Sequence, residues 1–99
     1  MRINLVLAVA LGAMPLLAAA QDQGVGRNLA ASCAMCHGTD GRSAGGNEPL
    51  AGVPKDELVR KFKEFRSGAK PATIMHQISK GYTDQQIDQI AAYFAAQRK

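Results

Sequence analysis

Cys33-Ala34-Met35-Cys36-His37 is the stretch from which the rest of the chain is read. Two cysteines three residues apart, followed at once by a histidine, form the C-x-x-C-H pattern of c-type haem attachment. The spacing has a physical reason. On a helical turn, positions i and i+3 lie on one face, so both thiols reach the vinyl groups along one side of a porphyrin. His37 follows directly and is placed to turn its imidazole under the iron as the proximal axial ligand.

Other uses of a Cys-x-x-Cys pair fit less well. A structural zinc site takes four good ligands, but the chain has two cysteines and two histidines in all, the second being His76. A thioredoxin-like thiol oxidoreductase using Cys33 and Cys36 needs a preceding strand in a βαβ setting, and no strand pattern precedes Cys33. The histidine directly after the second cysteine favours haem.

The first twenty residues read as a signal peptide. Arg2 supplies the positive start, Ile3 to Leu17 is apolar, and Ala18-Ala19-Ala20 offers a cleavage site before Gln21. The competing reading is an uncleaved membrane anchor, against which Pro15 and the alanine-rich end weigh. Export to the periplasm places the cysteines outside the reducing cytosol. The expected domain is residues 21–99, whose 17 large apolar side chains make a small core for a chain of this size. A haem is a flat apolar body that helices can wrap, so the chain is expected to be largely unfolded without it. Removing Arg2 leaves 11 basic against 8 acidic residues, a net charge of +3, which is too mild to suggest nucleic-acid binding.

Periodicity predicts an all-α domain of about four helices. Residues 25–34 form the first, with Leu29, Ala30 and Cys33 on one face and Gly26 open to a close neighbour. Residues 38–53 are glycine-rich loop, in which Pro49 stiffens the chain and Leu50 offers a buried contact. Pro54 opens the second helix, whose stripe is Leu58, Phe62 and Phe65 with Val59 beside it, and Ser67-Gly68 stops it. Its outer face carries Lys55, Arg60, Lys61, Lys63 and Arg66, diluted by Asp56, Glu57 and Glu64, so a solvated face outweighs an acidic-partner patch. Residues 71–81 are expected as a short helix with Ile74 and Ile78 as its apolar pair and Gly81 as its C-cap. Thr83 and Gln86 make a capping box for the last helix, with Ile87, Ile90, Ala91 and Phe94 as its buried stripe.

One further ligand would complete the iron. Met35 sits inside the attachment motif and cannot reach the other side of the ring. Met75, 38 residues after His37, has ample chain to cross it, and its thioether favours the ferrous state. His76 is the rival. Neighbours on a helix point about 100° apart, so only one of the two faces the iron. The usual Met/His pairing of c-type haems favours Met75.

The whole of residues 21–99 resembles the class I c-type cytochromes: a helix running into C-x-x-C-H-G, a glycine-rich loop, Pro49-Leu50-Ala51-Gly52, a methionine, and a closing alanine-rich helix. The resemblance implies a cytochrome c fold wrapped on one covalent haem c, with Cys33 and Cys36 attached and His37 and Met75 on the iron. It implies that Pro49 and Leu50 belong to the haem pocket and that the Pro49 carbonyl accepts from the His37 imidazole. It also implies that the first and last helices cross where Gly26 meets Tyr93 or Phe94.

A finer resemblance, to the haem subunit of sulfide dehydrogenase (flavocytochrome c), rests on Thr73 to Ile87 and Ala91-Ala92-Tyr93-Phe94-Ala95. Some of those proteins carry two haem domains, whereas this chain has a single C-x-x-C-H. The implied role is single-electron transfer rather than catalysis. A flavoprotein is the implied partner, and no small molecule binds at an iron with both axial positions filled. A freely diffusing carrier to a terminal oxidase has the same expected site. A haem enzyme or ligand sensor would need Met75 to leave the iron readily.

Overall fold

Thr83 starts the best-defined helix, and the reason is local. Its hydroxyl accepts from the Gln86 backbone N–H at 3.1 Å, while the Gln86 side chain accepts from the Thr83 N–H at 3.0 Å. Two otherwise orphaned donors are satisfied reciprocally. From there Ile87, Ile90, Ala91 and Phe94 recur at helical spacing, and all four are buried. In this computed structural model, which describes residues 24–99, that helix is Asp84–Ala95 and is the fifth among the described residues. The expected leader, residues 1–20, lies outside the described residues.

The other helices follow in order. Residues 24–30 form α1. A single 3₁₀ turn, Ala31–Cys33, leads into α2, Ala34–His37. A second 3₁₀ turn, Thr39–Gly41, interrupts the following loop. Then come α3 (Lys55–Ser67), α4 (Met75–Lys80) and α5 (Asp84–Ala95). Among the described residues there is no strand, and no helix is long and apolar enough to cross a membrane. The all-α expectation therefore holds.

The core is where three helices meet. α1 contributes Ala30, α3 contributes Leu58 and Phe62, and α5 contributes its four-residue stripe. Burying each of the large side chains is worth roughly 1.5–3 kcal/mol relative to exposure. Pro54 caps α3, and Gly68 ends it in the left-handed conformation at φ 85°, which L-residues with a Cβ adopt reluctantly. Both ends were legible in the sequence.

Three expectations need correction. Helical structure does not stop at Ala34 but runs through the motif to His37, where Gly38 (φ 82°) turns the chain out. The expected helix over 71–81 shrinks to Met75–Lys80. Pro71 has no N–H, the Ala72 N–H is taken by the His76 ring, and the first carbonyl to accept helical bonds is that of Ile74, from Gln77 and Ile78. Ile74, expected as half of a buried pair, is the N-cap and is 59% exposed. Gly81 does stand at the C-cap, but at φ −79° it makes no use of glycine's left-handed freedom.

Candidate functional site: a cavity between the motif and α4

The residues singled out by the sequence converge. A cavity of about 720 Å³ is lined by Cys33, Cys36 and His37 from one end of the described chain and by Met75 from α4. Its walls are apolar side chains of α3 (Leu58, Phe62, Phe65), of the loop (Leu50) and of the segment around α4 (Ile74, Ile78). This volume and lining suit a sizeable apolar cofactor fixed by a few polar groups.

The two thiols sit a turn apart because the chain is helical through both. They are not joined as a disulfide. Cys33 is half-buried, and that burial pushes its thiol pKa up, while Cys36 is exposed. Met35, between them, is 91% exposed and does not line the cavity.

His37 is oriented by the main chain. Its Nδ1 lies 2.7 Å from the carbonyl oxygen of Glu48. A carbonyl can only accept, so Nδ1 carries the proton and Nε2 keeps its lone pair, the tautomer a metal-binding imidazole requires. The expectation that Pro49 supplies this oxygen is therefore one residue out. The acceptor is the carbonyl of the Glu48–Pro49 amide itself, which Pro49 makes tertiary. Pro49 is not among the cavity-lining residues. Leu50 is, and it also packs against the core.

Two side chains hold the loop that carries this oxygen. Asn47 Nδ2 donates to the Cys36 carbonyl at 2.8 Å. The Glu48 carboxylate is bound by Lys61 of α3, which draws the Glu48 pKa down and the Lys61 pKa up, mainly through that hydrogen bond. Lys61 has a second acidic neighbour in Glu57 at 3.4 Å. Main-chain bonds from Leu50 and Ala51 to the Gly41 carbonyl, at 2.8 and 3.2 Å, close the loop on itself. Neither Asn47 nor Glu48 carries a side-chain signal that sequence reading could have used.

His76, the rival ligand in the sequence reading, is placed differently from Met75. Its Nδ1 lies 3.0 Å from the Phe65 carbonyl, and its Nε2 accepts from the Ala72 N–H at 3.1 Å. Both ring nitrogens are engaged, and His76 does not line the cavity, whereas Met75 does. Ser32 and Tyr82, whose hydroxyls are 3.1 Å apart, complete the rim.

Among the described residues no group of three or more His, Cys, Asp or Glu is gathered closely enough to hold a metal ion by itself. Residues 24–32, those described before Cys33, are helical.

Comparison with known proteins agrees with the geometry. Residues 25–97 match the family described as Cytochrome c. The chain is 38% identical over 69 residues to the cytochrome subunit of sulfide dehydrogenase of Chlorobaculum tepidum, a match covering 70% of this chain and 63% of that protein. It is 37% identical over 93 residues to cytochrome c4 of Pseudomonas aeruginosa, covering 93% of this chain and 46% of the relative. It thus covers less than two thirds of either relative. Cytochrome c-554(548) of Halomonas halodenitrificans is 33% identical over 82 residues, covering 79% of this chain and 99% of that protein. With the match running from α1 to the end of α5 over a cavity lined by both thiols of a C-x-x-C-H motif, the chain belongs to the cytochrome c family, and its cofactor is covalently bound haem c.

Proposed function

We propose that this chain carries single electrons on one haem c in the periplasm, accepting them from a sulfide-oxidising flavoprotein. The observation that carries the electron-transfer reading is that Cys33, Cys36, His37 and Met75 line one cavity while both nitrogens of His76 are engaged elsewhere. The haem, when bound, supplies a reversible ferric/ferrous couple whose potential the axial ligands and the surroundings set.

The residues have separable tasks. Cys33 and Cys36 hold the porphyrin through thioethers. His37, oriented by the Glu48 carbonyl, would offer Nε2 to the iron, and Met75 would offer its thioether. With both His37 and Met75 holding the iron, no position would remain there for a substrate. Leu50, Leu58, Phe62 and Phe65 keep water from the ring, which disfavours the more highly charged ferric form. The exposure of Cys36 on the rim supports an electron path through the thioether edge of the ring.

The partner rests on the sulfide dehydrogenase relative and on the stretch Thr73 to Ile87. The periplasmic location rests on the leader-like composition of residues 1–20.

The decisive measurement is the visible spectrum of the purified ferric protein. A weak far-red methionine–iron charge-transfer band is expected and should vanish in Met75→Ala; its persistence there refutes the ligand assignment. Mass spectrometry of the periplasmic protein should give a chain starting at Gln21 with one covalent haem. Co-purification with a yellow flavoprotein supports the partner, and its absence, with rapid reoxidation by membranes containing a terminal oxidase, points instead to a freely diffusing carrier.

A further inference from the structure

α4 has six residues and no side-chain cap at its N-cap, Ile74. A helix this short does not hold its own direction in water. Its orientation must come from tertiary ties, and the tie at its first turn is His76. The ring bridges three pieces of chain: Nδ1–H donates to the Phe65 carbonyl near the end of α3, the Ala72 N–H donates to Nε2, and the side chain itself springs from α4. The two partners fix the tautomer, because Phe65 offers only an acceptor and Ala72 only a donor. At the other end of the segment Arg66 donates to the Tyr82 carbonyl at 3.5 Å and to the Asp84 carboxylate. That second tie leaves the first turn of α4 untouched.

We propose that His76 is a positioning residue that keeps the Met75 side chain in the cavity. It acts as a neutral imidazole strap between α3 and the turn on which Met75 sits. The proposal rests on Met75 as the axial ligand. A thioether is a weak, neutral donor, so its hold on the iron depends on how firmly its backbone is placed. With the strap cut, the first turn of α4 swings and the thioether yields to an added ligand.

The test uses the haem-loaded full chain and four variants. Met75→Ala is the reference for a lost ligand. His76→Phe keeps the volume and removes both hydrogen bonds. His76→Asn places an amide donor near the Nδ1 position, and His76→Gln places an amide acceptor near the Nε2 position. Three quantities are read: the far-red band of the ferric protein, the rate of carbon monoxide binding to the ferrous protein, and the melting temperature. His76→Phe should weaken the band and speed carbon monoxide binding roughly tenfold, as two lost hydrogen bonds allow. His76→Asn and His76→Gln should each recover part of the difference.

A His76→Phe protein with wild-type band and carbon monoxide exclusion overturns the proposal, whether or not it melts lower, because His76 would then be only structural. If His76→Phe does not fold, the other two decide: wild-type behaviour in both overturns it, and faster carbon monoxide binding in either supports it. A band that survives in Met75→Ala removes the ligand reading beneath it, and a wild-type protein that lacks the band and loses its low-spin spectrum only in His76→Phe makes His76 itself the ligand.

Discussion

Gly26 of α1 lies directly against the Gln89 carbonyl of α5: a Cβ on Gly26 would stand 2.6 Å from that oxygen and 3.2 Å from the Tyr93 Cβ. The near neighbour is backbone, which cannot swing aside as a flexible side-chain tip could. Gly26→Ala is therefore expected to push the two helices apart and destabilise the protein by about 1–3 kcal/mol. Urea titration followed by circular dichroism should show a lower midpoint with an unchanged slope. An unchanged midpoint would mean that the crossing is looser than this geometry.

Thr83→Ala removes one half of the capping box and leaves the Gln86 N–H without its acceptor. The expected loss is about 1 kcal/mol, which for a domain of this size lowers the melting temperature by roughly 4–8 °C. Thr83→Ser should recover most of it.

Tyr93 donates its hydroxyl to the Asp40 carboxylate, a contact that pushes the phenol pKa up, first through that hydrogen bond and then through burial. The sign follows from the neutral form being favoured in the folded state. Its contribution is fully present below the unfolded tyrosine value of about 10 and is lost as pH rises from there through the raised folded value. Tyr93→Phe should therefore melt lower than wild type at pH 7, by about 1 kcal/mol, and the gap should close above pH ~10. A gap that persists unchanged at high pH would rule out this hydrogen bond as its source.

Preventing haem attachment with Cys33→Ser and Cys36→Ser together should leave a chain with little helical circular dichroism and no cooperative melt. The buried side chains of the core are few, and the walls formed by Leu50, Phe65 and Ile78 face a cavity rather than one another. A small domain without its cofactor has little with which to offset chain entropy. A cooperative melt of the double variant would show that α1, α3 and α5 suffice alone.

The legible parts of the sequence were those written in side-chain type and spacing. C-x-x-C-H, the stripe of α5, the Thr83–Gln86 box and the stop at Gly68 each carry a local physical reason, and each stands where expected. Met75 and the motif also share one cavity, as the spacing implied. What stayed hidden depended on the backbone or on distant partners. The acceptor for His37 is a peptide oxygen, so no residue type marks it, and it falls at Glu48 rather than Pro49. The start of α4 is set by a ring from within the helix reaching back to Ala72, a competition that apolar periodicity cannot register.

The difference in kind between the two supports has a consequence over generations. A substitution can replace the imidazole at position 76, but none can delete the peptide oxygen at position 48. With His37 and Met75 holding the iron as proposed, the oxygen that orients His37 survives every substitution at 48 and is exposed to codon changes only through the loop ties of Asn47 and Lys61, so heritable variation in ligand strength would open more readily on the Met75 side. Among descendants of this gene, drift in potential should accompany changes at 76 and its contacts sooner than changes at 48.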